Sequence, residues 1–203
     1  MTPTRRREPA GQPPLEIGGV QVAAGTRGRV DIPVARLPTG TWLTLPVSVI
    51  HGQSPGPTIW LSGTIHGDEL NGIAIIREIN RQADPKLLSG TILAVPIVNV
   101  FGLIIESRYL PDRRDLNRSF PGSKRGSLAS QLAHLFVEQI VRRCDYGIDF
   151  HTGSGGRTNL PQIRCNLDDA RTRELAEVFS APLILNSKRR PGSLRAGAEP
   201  EGP

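Results

Sequence analysis

Apolar and polar positions along this chain change their spacing several times, and each change marks an element. Between residues 41 and 50 they alternate, with Leu43, Leu45, Val47 and Val49 on one face and Thr44 and Ser48 on the other. That period of two predicts a half-buried strand, with Pro46 at an edge or a bulge. Shorter β-like segments precede it at 19–23 and 29–34, separated by glycine and proline. Ser54-Pro55-Gly56-Pro57 predicts a turn. Ile59, Trp60 and Leu61 then form a short apolar run over 58–62, the pattern of a buried strand. From about 68 to 82 the spacing becomes helical, with Leu70, Ile73, Ile76 and Ile79 recurring every three residues. Asp68 and Glu69 fall in the first turn of that predicted helix, where acidic groups are favourable, and Asp84-Pro85 stops it.

The second half repeats the alternation of types. An apolar run at 91–98 predicts a strand, and 99–126 is a long connection rich in Arg, Asp, Pro and Gly. Connections of that length are uncommon without a function. Ser127 can cap a helix reaching residue 143, with Leu128, Leu132, Leu135, Phe136 and Val141 on one side. Residues 145–150 predict a strand that delivers His151 at its C-terminal end, followed by a flexible loop at 153–156. Asp168 or Asp169 opens a further helix that buries Leu175, Val178 and Phe179 and ends before Pro182; 183–185 is a last short strand. Strands alternating with helices predict an α/β fold, a mixed and mostly parallel sheet flanked by helices in three layers. The boundaries follow composition: a Pro- and Arg-rich disordered arm over 1–14, the α/β domain over 15–187, and a disordered or non-native tail over 188–203. Leu194 is the single large apolar residue of that tail, which is expected to contribute nothing to the core.

Composition narrows the function classes. The chain has 203 residues, 25 Lys and Arg against 19 Asp and Glu, and a net charge of +6. The arginines fall in an N-terminal run, in the 108–118 loop and in the tail, and only nine aromatic residues (five Phe, two Tyr, two Trp) exist to interleave with them. A nucleic-acid platform is therefore disfavoured, and a pocket for a small anion in the 108–118 loop is preferred. No apolar run approaches a membrane span, and no apolar segment follows Arg5-Arg6-Arg7, so a cytoplasmic protein without membrane association is expected. Cys144 and Cys165 have no paired spacing and read as ordinary buried or half-buried thiols.

Three stretches carry candidate chemistry. His66 and Glu69 stand three residues apart at a predicted strand-to-helix junction, where one turn of chain can aim both at one ion. The competing reading is a local hydrogen bond for His66 and a helix-dipole role for Glu69. His151, beside Asp149, ends another strand of the same sheet, and in such sheets ligands sit beyond the carboxyl ends of the strands. Asp149 can pair with His151 only if the strand runs through both. Two histidines, one carboxylate and a water make a hydrolytic zinc site. In the 108–118 loop, Asn117-Arg118 and a further arginine suit a substrate carboxylate and a developing oxyanion. His51 and His134 read as structural or solvent-facing. Ser154, in Thr-Gly-Ser-Gly-Gly, lacks the spacing of a hydrolase nucleophile elbow.

Taken together, Gly63-Thr64-Ile65-His66-Gly67-Asp68-Glu69-Leu70-Asn71-Gly72, then Asp115-Leu116-Asn117-Arg118-Ser119-Phe120-Pro121-Gly122, then Asp149-Phe150-His151-Thr152-Gly153 resemble the succinylglutamate desuccinylase/aspartoacylase family. That family is similar to the zinc carboxypeptidases in fold and metal site. The resemblance covers about 57–195. It implies a zinc-dependent amidohydrolase that removes the acyl group from a small anionic N-acyl amino acid or related amide. His66, Glu69 and His151 match the ligands of one zinc ion per chain, and Asn117 and Arg118 the pair that holds the substrate carboxylate. Arg108 matches the arginine that polarises the scissile carbonyl, with Arg113 competing for that role, and Arg164 is a candidate pocket residue. One departure stands out. The family's downstream general-base glutamate, its late strands and its C-terminal β domain have no counterpart among the residues after His151. Asp168, Asp169, Glu174 and Glu177 fall on a predicted helix, and Glu199 and Glu201 in the tail. The chain therefore reads as a C-terminally truncated member with impaired proton transfer. A metallocarboxypeptidase and a non-catalytic zinc-binding protein are the alternatives.

Overall fold

A computed structural model describes residues 11–37 and 39–198. The central sheet has five strands in the order β3 (Thr26–Arg36), β4 (Trp42–His51), β6 (Ser89–Val95), β5 (Ser54–Gly63) and β7 (Tyr146–Phe150). Pairings β3–β4 and β4–β6 are antiparallel, whereas β6–β5 and β5–β7 are parallel. The sheet is thus mixed as expected but evenly divided, because the N-terminal strands join through hairpin-like neighbours rather than helical crossovers. A hairpin of β1 (Leu15–Ile17) and β2 (Val20–Val22) packs beside it, and β8 (Gln162–Cys165) pairs in parallel with β9 (Leu183–Asn186) as a separate ribbon.

The alternating pattern of 41–50 does set the inward face of β4, where Leu45, Val47 and Val49 are fully buried. Pro46 is tolerated because β4 pairs with β6 only from Ser48 to His51. The proposed turn at Ser54-Pro55-Gly56-Pro57 is instead the irregular start of β5, where the register shifts between Ser54 and Thr58. Two cores sandwich the sheet. One joins Leu45, Val47, Leu93 and Val95 to Leu132 and Phe136 of α3 (Leu128–Gln139). The other packs Ile76 of α1 (Asn71–Gln82) on Leu61 and Ala94. Helices on both faces give the three layers. Ser127 caps α3 as expected, its hydroxyl accepting from the Ser130 N–H.

Several expectations need correction. The 99–126 connection contains α2 (Val100–Ile104) and a 3-10 turn at Leu116–Arg118, and its Leu110 and Leu116 are buried. Asp169 caps α4 (Ala170–Phe179), but Val178 is 76% exposed and Phe179 49% exposed; Ala176 is the buried contact. After Ser187 the chain still adds to the core: Leu194, in α5 (Leu194–Gly197), is 2% exposed within the main cluster. At the other end Gln12 donates to the Gly52 carbonyl, and His51 bonds the Pro13 carbonyl and Thr91, which gives His51 a structural role. Residues 1–10 of the expected arm and 199–203 of the tail lie outside the described residues. Both cysteines are free, and burial pushes the Cys144 thiol up to about 12. Among the described residues no helix is long and apolar enough to cross a membrane.

Candidate metal centre

Strands β5 and β7 run side by side in parallel, with Ser62 opposite Asp149 and Gly63 opposite Phe150. Their carboxyl ends therefore release His66 and His151 at one point above the sheet. The chain leaving β5 bends sharply: Thr64 has φ 54, a left-handed conformation in which a β-branched residue is strained. The bend is held by the Val98 and Asn99 N–H groups, which donate to the Gly63 and Thr64 carbonyls. Gly67 then passes so close to α2 that a Cβ there would lie 2.0 Å from the Gly102 carbonyl carbon. Helix α1 begins only at Asn71, with Leu70 as its cap and no acidic residue in its first turn. The helix starts later than the sequence pattern predicts, and Glu69 falls in the turn before it, its N–H donating to the His66 carbonyl.

Glu69, 3% exposed, gathers donors from three segments. One carboxylate oxygen lies 2.7 Å from His66 Nδ1 and accepts from the Ser154 hydroxyl at 3.0 Å. The other lies 2.7 Å from His151 Nδ1 and accepts from the Thr152 N–H at 3.1 Å. Ligand atoms of His66, Glu69 and His151 all lie within 4.8 Å of one another. Ligands about 2.0–2.2 Å from a shared zinc ion fit inside such a cluster.

The outer partners make that fit more specific. His66 Nε2 faces Asp115 at 3.3 Å, and His151 Nε2 faces Asp149 at 2.7 Å. Asp149 in turn accepts from the Ser62 hydroxyl at 2.8 Å. The Asp149–His151 pair forms although β7 ends at Phe150, so the strand need not run through both residues. Each histidine thus points one nitrogen at an aspartate and the other at Glu69, the carboxylate–histidine arrangement that fixes a metal-binding tautomer. A neutral ring donating to its aspartate would turn a lone pair on the Glu69 carboxylate, so a proton or a cation must lie between them. The histidine pKa values record that demand. Partial burial opposes the charge on His151, yet Asp149 and Glu69 raise its pKa to about 10. His66 is likewise raised: Asp115 and Glu69 outweigh its burial. Burial works against the Glu69 charge, but His151 and His66 hold the carboxyl well below the usual range.

Asp115, the first residue of Asp-Leu-Asn-Arg, is the functional side chain that sequence reasoning passed over. One of its oxygens faces His66 and accepts from the Asn117 N–H; the other takes Arg108 Nε and Nη2 at 3.1 and 2.8 Å. An aspartate two residues before an Asn-Arg pair, in a chain with a candidate metal-binding histidine, was the available signal. Through it Arg108 reaches the cluster, 3.6 Å from Glu69 and 3.4 Å from the Ser154 hydroxyl. The Arg113 side chain is exposed and bonds to none of these groups. Asn117 Oδ1 accepts from the Leu194 N–H at 2.9 Å, which leaves the amide NH2 to donate. Arg118 is exposed beside it and donates to the Asn117 carbonyl. Arg164 is exposed on β8, its carbonyl accepting from Arg195. Among the described residues no glutamate besides Glu69 joins the cluster: Glu174 and Glu177 are exposed on α4.

The strained Thr64 yields a first prediction. Its side chain is fully buried, and deleting a buried side chain ordinarily destabilises. Here Thr64→Gly also releases left-handed strain worth roughly 1–2 kcal/mol. Thr64→Gly is therefore expected to leave unfolding free energy within about 1 kcal/mol of the parent in urea titration. A loss above about 3 kcal/mol would show that the bend costs nothing.

Residues 55–200 match the succinylglutamate desuccinylase/aspartoacylase catalytic domain. The N-alpha-acetyl-L-2,4-diaminobutyric acid deacetylase of Halomonas elongata is 33% identical over 181 residues, 84% of this chain and 50% of that protein. A succinylglutamate desuccinylase/aspartoacylase structure from Rhodobacter sphaeroides superposes with a TM-score of 0.72 at 31% identity, covering 80% of this chain and 52% of that one. The product-bound ectoine utilization protein EutE (DoeB) of Ruegeria pomeroyi shares the fold, with a TM-score of 0.70 at 24% identity over 85% of this chain and 55% of that one. This chain spans about half the length of these relatives. On the match over residues 55–200, and with a one-third-identical relative beside it, the chain belongs to the succinylglutamate desuccinylase/aspartoacylase family.

Proposed function

We propose that this protein is a zinc-dependent deacylase of small anionic N-acyl amino acids, with His66, Glu69 and His151 holding one zinc ion. The observation that carries the reading is the paired histidine geometry, in which both rings face Glu69 through Nδ1 and an aspartate through Nε2. Zinc held there supplies Lewis acidity and activates water at neutral pH. The protein's own groups then position the substrate. Arg108, fixed by its two bonds to Asp115 and only partly exposed, presents its remaining guanidinium nitrogen beside the cluster, where it can donate to an amide carbonyl as negative charge develops. Asn117, whose oxygen is taken by Leu194, offers its NH2 to a substrate carboxylate, and Arg118 offers the bidentate fork. Asp115 couples the two halves, since it touches a histidine ligand, Arg108 and the Asn117 backbone.

The one-third-identical relative makes Nα-acetyl-L-2,4-diaminobutyrate the first substrate to assay, beside N-acetylaspartate and N-succinylglutamate. The zinc-loaded protein is expected to release acid from at least one of them, to lose that activity to a chelator and to regain it with zinc. General acid–base help typically contributes about 10² to 10⁴ in rate; among the described residues no glutamate besides Glu69 stands at the cluster, so slow turnover is expected of these residues alone. C-terminal residue release from an unblocked peptide, with no deacylation, would assign a carboxypeptidase instead. Stoichiometric zinc without turnover on any of these substrates would leave a zinc-binding protein and overturn the proposal.

A further inference from the structure

A cavity of about 460 Å³ opens at the end of the 99–126 connection, against the outer side of α3. Its wall carries Lys124, Arg125 and Arg142 against a single carboxylate, Glu138, and that carboxylate is already paired with Arg142 at 2.5 Å. Lys124 and Arg125 are exposed and have no ion-pair partner among the described residues. His134 completes the wall, and its Nε2 is buried without a hydrogen-bond partner among those residues. Buried polar atoms rarely stay unpaired, and an ordered water reaching in from the cavity, or a group bound there, would satisfy this nitrogen.

The loop is built to hold its cations still. Gly122 has φ 81, and a Cβ there would lie 2.2 Å from the Ser130 carbonyl oxygen and 2.5 Å from the His134 nitrogen, so the backbone lies directly on the helix. The Ser123 N–H donates to the Ser130 carbonyl at 3.1 Å, and Gln131 Nε2 donates to the Gly126 carbonyl at 2.8 Å. Lys124 and Arg125 are therefore carried on a segment pinned to α3 on both sides, which lowers the ordering cost of binding. The volume suits a small metabolite. Excess positive charge, a buried unpaired imidazole nitrogen and a fixed loop share one chemical complement.

We propose that this cavity is a second binding site, for a compact, multiply charged oxyanion, and that it is separate from the metal centre, with which it shares no residue. A phosphate ester or a polycarboxylate would supply the same chemistry. The test follows the His134 imidazole signals by nuclear magnetic resonance during titration with inorganic phosphate and, separately, tricarballylate, at an ionic strength fixed with chloride. A saturable shift with phosphate assigns the site to phosphate esters, and one with tricarballylate assigns it to polycarboxylates. The exposed pair K124Q/R125Q, with its melting temperature in chloride checked against the parent, is expected to weaken that binding at least about tenfold through the loss of charge-assisted bonds. Shifts no larger than chloride gives, or a midpoint unchanged in K124Q/R125Q, would overturn the proposal.

Discussion

Glu69→Gln is expected to lower zinc affinity by more than about a hundredfold, the upper end of what losing only an outer partner of a metal ligand costs. Glutamine keeps the shape of the side chain and removes two things. The negative charge that draws a cation between the rings disappears, and one carboxylate oxygen becomes an NH2 group. In the folded protein both oxygens accept: one beside His66 and the Ser154 hydroxyl, the other beside His151 and the Thr152 N–H. An NH2 group at either position can donate to the lone pair of a metal-free histidine, but it cannot ligate a metal, and it no longer accepts from Ser154 or Thr152. Competition titration with a chromophoric zinc chelator at pH 7 measures the loss. Glu78→Gln is the control, since Glu78 lies exposed on α1 and, among the described residues, bonds Arg81 and Gln82 rather than any group of the cluster. If Glu69→Gln bound zinc within tenfold of the parent, the carboxylate would not be a ligand and the cluster would be a hydrogen-bonded network.

That outcome bears on what the sequence made legible. The pair His66 and Glu69, alone, reads more readily as a local hydrogen bond and a helix start than as a ligand set, because an acidic residue before an apolar helical pattern is common and short motifs match by accident. The structure starts α1 at Asn71 and places Glu69 in the preceding turn, with its carboxylate against both histidines. His151 was readable because a strand-end histidine in an α/β pattern has one place to go. Asp115 was not, since an aspartate inside a charged loop has no periodicity to reveal what it touches. Arg108 and Arg113 were indistinguishable by spacing, and the Asp115 ion pair brings only the first to the cluster. Fold errors have the same origin. The three-residue recurrence of Ile73, Ile76 and Ile79 located α1 well, whereas the same logic over-read α4: Val178 and Phe179 follow the period but stay exposed among the described residues, with Phe179 only brushing Phe150 at a ring separation of 6.4 Å. Strand β8 escaped because four residues of mixed character, Gln162 to Cys165, show no alternation long enough to read.

Leu194 is the sharpest case, and it carries the second large effect. A lone leucine in a stretch of Lys, Arg, Gly and Pro has no pattern around it, so composition assigned it to a tail. In the fold it is 2% exposed in the main core, and α5 lies against Phe120 and Pro121, so that a Cβ on Gly197 would sit 2.8 Å from Phe120 Cβ. Leu194→Ala is expected to cost about 2–5 kcal/mol, the usual penalty for deleting a buried leucine. For a chain of this size that corresponds to a fall in melting temperature of roughly 5–15 °C. Val178→Ala, at an exposed position, is expected to change stability by less than about 0.5 kcal/mol. A functional consequence should follow separately from the loss of stability. The Leu194 N–H holds Asn117 Oδ1 at 2.9 Å, so a core that sags around α5 loosens the amide offered to the substrate carboxylate. Below the melting range, Leu194→Ala should therefore bind zinc as the parent does while its KM for an N-acyl amino acid rises. Equal melting temperatures for Leu194→Ala and the parent would mean that residues 188–198 are not held on the core in solution.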